Sequence, residues 1–105
     1  MQPLRDEILT LHGLRVNKIS RMVEIEGRFV ELTVKEFDLL WFLANQSSQV
    51  FTREQLLENV WHYNYFGEMS TVTVHIRRLR EKIERDPMRP RYIKTVWGVG
   101  YRFEP

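Results

Sequence analysis

The chain has 105 residues, enough to bury one hydrophobic core of modest size but not two. With 43% apolar and 29% charged residues it has the balance of a soluble globular domain, and it holds neither a run near the roughly 18 to 20 apolar residues of a membrane helix nor a signal peptide. Cysteine is absent, which excludes disulfides and thiolate chemistry and fits a cytoplasmic location; the net charge of +2 says little until it is divided along the chain.

From residue 8 the sequence predicts four short strands, ILTL, LRV, MVEI and RFVEL, separated by turn signals at His12-Gly13, Asn17 to Ser20 and Glu26-Gly27. Connections this short give an antiparallel meander. The period then changes. In LTVKEFDLLWFLANQSS, Phe37, Leu40, Trp41 and Ala44 recur at i, i+3, i+4 and i+7, and Phe37 and Trp41 are assigned to the core. Thr33 with Glu36 makes a capping box that satisfies two orphan amide donors, so a first helix starts near Thr33. A second box, Thr52 with Gln55, opens TREQLLENVW, whose Leu56, Leu57, Val60 and Trp61 form the apolar stripe of a second helix.

After the turn-rich HYNYFGEMS, the segment TVTVHIRRLREKIERDP predicts a third helix, stopped by Pro87. Val72, Ile76, Leu79 and Ile83 turn one stripe to the core. The opposite face presents Val74, Arg78, Glu81 and Arg85, flanked by Thr71, Lys82 and Arg77. Between residues 71 and 102, nine basic residues stand against three acidic ones, a local excess that suits a polyanion as well as a solvated helix face. A valine exposed among arginines favours the polyanion, because it suits thymine methyls beside phosphates and guanine edges. The chain closes with YIKTV and YRFE joined through Trp97-Gly98-Val99-Gly100, where glycines allow positive φ in a tight hairpin. Three helices and a basic hairpin describe a winged helix, with helix three in the major groove and the hairpin reaching the adjacent minor groove or backbone.

The motifs LTVKEFDLLWFLA, TREQLLENVW, TVTVHIRRLREKI and TVWGVGYRF, in this order and at this spacing, resemble the OmpR/PhoB class of response-regulator output domains across nearly the whole chain. The resemblance implies an α+β winged helix-turn-helix with an N-terminal four-stranded antiparallel sheet, a three-helix core and a C-terminal β-hairpin wing. It implies a DNA-binding domain over residues 8–105, with residues 1–7 the remnant of a linker from a phosphorylatable receiver domain, in a bacterial cytoplasmic phosphorelay with a sensor kinase. The implied partner is double-stranded promoter DNA, bound at direct repeats by a head-to-tail pair of domains, with RNA polymerase a candidate second partner. No cofactor, metal or membrane is implied.

Carried over residue by residue, Thr71, Val74, His75, Arg77, Arg78 and Arg80 match recognition-helix positions of that class. Val74 and Arg78 are assigned to base reading, and Thr71, His75, Arg77 and Arg80 to the backbone. Arg53 and Trp61 match phosphate contacts on helix two, and Thr95 and Tyr101 match phosphate contacts on the wing. Trp61 fits a core cap equally well, and His75 a solvated side chain. Trp97, at the wing tip, departs from the pattern: several relatives have an arginine there that enters the minor groove, and an indole lacks both its charge and its fork. Stacking on sugar and plain packing stay open for it. Tyr63, Tyr65, Phe66 and Glu68 lie in the connection that the resemblance makes a candidate contact for RNA polymerase, although the aromatic ones also fit core closure.

An enzyme is not expected, because His12, His62 and His75 lack close metal-ligand spacing and no paired carboxylates share an apolar-lined element; no catalytic residues are assigned. Gly98-x-Gly100 is no dinucleotide fingerprint, since position 103 is Phe and a strand follows. The alternative is a winged helix that binds RNA or a protein partner. The arginines of helix three count against a protein, and Val74 on a narrow helix favours the B-form major groove over the deep, narrow A-form one.

Overall fold

Two of the three turns in the first sheet hold only two residues. In the computed structural model, which describes residues 7–62 and 69–104, strands β1 (Ile8–Leu11), β2 (Leu14–Asn17), β3 (Met22–Ile25) and β4 (Arg28–Val30) form an antiparallel meander in chain order. His12 and Gly13 both take positive φ, as do Glu26 and Gly27, the combination that fits a two-residue loop to the twist of its strands. Asn17 closes the wider β2–β3 turn by accepting the backbone N–H groups of Ile19 and Ser20 at its Oδ1. The register aligns Leu9, Val16, Val23 and Val30 on one face, beside Leu11, Leu14 and Ile25. That face joins the helices in a single core.

Helix α1 (Val34–Asn45) starts on the predicted box: Thr33 Oγ1 accepts the Glu36 N–H, and Glu36 Oε1 accepts the Thr33 N–H. It buries Phe37, Leu40 and Ala44 as expected, together with Leu39 and Leu43. Trp41 is only half-buried at the core edge, with the Lys18 ammonium 5.8 Å from its ring centroid. Helix α2 (Arg53–Leu56) opens on the Thr52–Gln55 box and continues as a π-helix, Leu57–Trp61, which the apolar stripe does not announce. Helix α3 (Met69–Ile83) begins two residues before its predicted start and buries Val72, Ile76, Leu79 and Ile83.

A second sheet holds the wing. The expected hairpin, β6 (Ile93–Val96) and β7 (Gly100–Phe103), gains a third strand, β5 (Phe51–Thr52), in the order β5-β7-β6. Thr52 therefore serves twice, pairing with Gly100 as a strand residue and capping α2. Of the two wing glycines only Gly98 uses positive φ, at +78°. Gly100 is required for close approach, since a Cβ there would lie 2.0 Å from the Phe51 carbonyl oxygen.

Glu36 is buried in this fold and accepts a hydrogen bond from Lys82 Nζ at 2.6 Å, which ties the start of α1 to α3. Burial raises its pKa, but the bonds from Lys82 and Thr33 and the Lys82 charge outweigh burial and hold it below its ordinary value. A carboxylate depressed in this way stabilises the fold fully above its unfolded pKa, 4.5, and loses that contribution as pH falls through the lower folded value. The stability gap between the native chain and Glu36→Gln should therefore be widest near neutral pH and narrow below about pH 4.5, which urea unfolding across pH will measure. A gap that stays constant into acid would contradict the assignment.

Candidate nucleic-acid interface

With its core stripe turned inward, α3 offers solvent a face that carries Arg77 and Arg78. Arg78 is exposed and pairs with no carboxylate among the described residues. Arg77 Nε lies 3.7 Å from Glu81 Oε1, an exposed pair that water and salt screen easily. Val74, expected to stand exposed among the arginines, is half-buried. Lys82 leaves the flank of this face for Glu36, and Arg85 bonds Glu26 at 2.9 Å, so part of the local positive excess is neutralised within the fold.

Arg80 points elsewhere. Its Nε and Nη2 donate to the Ile93 carbonyl at 3.1 and 2.8 Å, Nη2 also donates to Thr95 Oγ1 at 2.8 Å, and the guanidinium lies 5.6 Å from the Tyr101 ring centroid. Burial lowers its pKa, with Tyr101 and Glu84 opposing. Three residues assigned separately to the DNA backbone, Arg80, Thr95 and Tyr101, thus meet in a clamp that fixes the wing against α3. Thr95 accepts from Arg80 and keeps its own hydroxyl proton to donate.

A second group forms at the other end of the interface. His75 Nδ1 lies 2.8 Å from the Thr71 carbonyl oxygen and must carry the proton, because a carbonyl only accepts. The ring meets Trp61 edge-on with centroids 5.0 Å apart, so the π-helical end of the α2 segment packs on the first half of α3. Trp61 and His75 are both half-buried, and each keeps an edge toward solvent. Arg53 is exposed directly after its cap, Thr52. Trp97 is 90% exposed at the wing tip, which removes plain packing as its role. Tyr63, Tyr65, Phe66 and Glu68 lie outside the described residues.

One residue that sequence reasoning missed shapes the connection between α3 and the wing. Glu84, buried just past the helix end, accepts the backbone N–H groups of Arg91, Tyr92 and Ile93 at 2.7 to 3.2 Å. It bends the chain back so that β6 starts beside α3. Among the described residues no three His, Cys, Asp or Glu side chains are grouped to hold a metal ion, and no helix is long and apolar enough to cross a membrane.

The fold that presents these residues has counterparts among known proteins. A family model described as "Transcriptional regulatory protein, C terminal" matches residues 27–103. The chain belongs to that family. The response regulator SaeR of Staphylococcus aureus is 43% identical over 98 residues, which make up 93% of this chain and 43% of SaeR. Response regulator DrrB of Thermotoga maritima, an OmpR/PhoB homolog, superposes with a TM-score of 0.87 at 39% identity, covering 94% of this chain and 45% of DrrB. The DNA-binding domain of Klebsiella pneumoniae RstA, solved in complex with the RstA box, also gives 0.87, at 35% identity over 94% of this chain and 98% of that domain. This member of the transcriptional regulatory C-terminal family thus spans less than half of SaeR and of DrrB but nearly all of the RstA domain. The OmpR/PhoB resemblance and the winged-helix fold implied by the four motifs both hold.

Proposed function

We propose that this chain is the output domain of a two-component response regulator and binds duplex promoter DNA by sequence, with α3 in the major groove. The observation that carries this reading is Arg78, an exposed guanidinium one helical turn beyond Val74 on the face opposite the buried stripe, with no carboxylate partner among the described residues. Such a fork can pair bidentately with O6 and N7 of guanine. Arg77, Thr95 and Arg53 meet phosphates, Trp61 and His75 flank them, and Arg80 with Tyr101 acts by holding the wing in place. The RstA domain in complex with its box supports the same reading. Residues 8–105 form the domain and residues 1–7 belong to a linker, with a receiver domain and sensor kinase in the full-length bacterial, cytoplasmic protein. Direct repeats bound head-to-tail and RNA polymerase at residues 63–68 complete the proposal, and the domain carries no enzyme activity.

Selection of sites from a random duplex pool tests it. Arg78→Ala should flatten preference at one base pair, a loss of roughly 1 to 3 kcal/mol of discrimination, and leave circular dichroism and melting unchanged. Arg78→Lys keeps the charge but loses the fork, so it should flatten the same position. Arg53→Ala supplies the contrast: it should weaken all duplexes alike and reduce the salt slope by about one. A lysine variant with wild-type preference at every position would make Arg78 a phosphate contact and remove the base-reading role. Duplex RNA that competes as well as duplex DNA would replace this reading with RNA binding.

A further inference from the structure

The wing tip carries an apolar surface that lies outside the proposed contacts of α3 with bases and phosphates. Trp97 is 90% exposed and Val99 52%, so two large apolar side chains stand in water three positions from the Arg80 clamp or closer. The tip is held firmly. Val99 N–H donates to the Val96 carbonyl at 2.9 Å, Gly98 takes the positive φ that the third position of the turn requires, and Val96 pairs with Gly100 below it. Strand β7 is fastened in turn to β5, while Arg80 ties Ile93 and Thr95 of β6 to α3. Trp97 is two residues beyond Thr95, about 7 Å along a strand, so its Cα sits at a fixed offset from the recognition helix. A backbone held this way loses little freedom on binding.

The chemistry of the tip narrows the occupant. Residues 96–101 carry no charge, so the tip neutralises no phosphate, and the indole N–H is its only side-chain donor ahead of Tyr101. An arginine would be drawn by the negative potential of a narrow minor groove; an indole with a valine behind it is suited instead to the apolar faces of deoxyribose and to the edges of an opened base step. We infer that Trp97, backed by Val99, enters the minor groove beside the α3 site as an apolar wedge. The wing then selects flanking DNA by its deformability, favouring flexible TA or CA/TG steps, without reading a base by hydrogen bonds. This rests on the proposed DNA binding and adds a specificity-determining residue to it.

The test uses the whole chain and the duplex that the wild type selects from a random pool, prepared at full length and with the base pairs flanking the α3 site removed from either end. Trp97→Ala should bind the full-length duplex about tenfold more weakly, with unchanged preference inside the α3 site and unchanged salt slope. Removing the flank on the wing side should cost the wild type about tenfold and the alanine variant little. Trp97→Arg should steepen the salt slope by about 0.9 and move flank preference toward A-tracts. Circular dichroism of both variants should match the wild type, because the side chain is exposed; if the alanine variant fails to fold, the arginine variant decides through its slope and flank preference. Wild-type affinity in Trp97→Ala, or an equal loss on full and shortened duplexes, overturns the wedge, as does a loss seen only when two domains occupy one duplex, which would make the tip a contact to a second copy. A wild-type chain that selects no duplex at all removes the DNA-binding reading itself, a failure distinct from the others.

Discussion

A Gly100→Ala variant is expected to be largely unfolded under conditions where the native chain is folded. The added Cβ would lie 2.0 Å from the Phe51 carbonyl oxygen, 2.8 Å from its carbonyl carbon and 2.9 Å from the Thr52 Cα. All three are backbone atoms in the strand paired with Gly100, so no side chain can rotate away to make room. Relief requires β5 to part from β7, and because Thr52 also caps α2, the start of that helix moves with it. Overpacking with flexible neighbours costs about 1 to 3 kcal/mol, and a clash with fixed backbone belongs above that range. Gly98→Ala is the matched control: no atom lies within 4 Å of its added Cβ, and the substitution meets only the positive φ of +78°. That penalty is roughly 1 to 2 kcal/mol. Urea unfolding of the two variants compares steric approach with backbone conformation in one hairpin, and a Gly100→Ala cost no greater than that of Gly98→Ala would show that the strands separate easily.

The features legible in the sequence are those whose causes are local. Both capping boxes join residues three apart, the two-residue turns require positive φ at His12-Gly13 and Glu26-Gly27, and the buried stripe of α3 follows from helical period alone. Strand β5 escaped because two residues are too few for any alternation, and its partner, β7, lies about fifty positions away. The π-helical turn escaped for a related reason: Leu56, Leu57, Val60 and Trp61 suit an α-helical stripe, and the wider turn is settled by packing of Trp61 on His75 and of Val60 in the core.

The site was legible to the same depth. The inward stripe fixes the outward arginines, so Arg77 and Arg78 were identifiable from α3 alone. Arg80 stands in the same basic run, yet it faces the hairpin, and only the return of β6 alongside α3 supplies the Ile93 carbonyl and Thr95 hydroxyl that receive it. Lys82 is parallel: its partner, Glu36, is 46 positions away and was visible only as half of a capping box. A charged residue reads as solvated until the fold brings its partner to it. Counting basic residues therefore overstated the charge available to a polyanion.

Glu84→Ala should cause the largest loss of stability among the polar substitutions described here, and its cause is the one least visible in the sequence. Glu84 is 6% exposed, and its carboxylate receives three backbone N–H groups, from Arg91, Tyr92 and Ile93. Alanine leaves those amides without their acceptor in a site where Tyr92 and Ile93 are themselves buried. Each orphaned buried donor costs about 1 to 3 kcal/mol, and partial relaxation brings the total to about 3 to 5 kcal/mol, a large share of the roughly 5 to 15 kcal/mol that stabilises a domain. At about 4 to 8 °C per kcal/mol the melting temperature should fall by about 12 to 40 °C. Glu84→Gln separates acceptance from packing. It keeps the length and one carbonyl oxygen but turns an amide N–H₂ toward donors, so it should recover only part of the loss. The same connection sets where β6 begins relative to α3, and amide hydrogen exchange of Tyr92 and Ile93 should accelerate in both variants ahead of exchange in the β1–β4 sheet. Unchanged protection of those two amides in Glu84→Ala would mean that the turn finds other acceptors and that Glu84 does not position the wing.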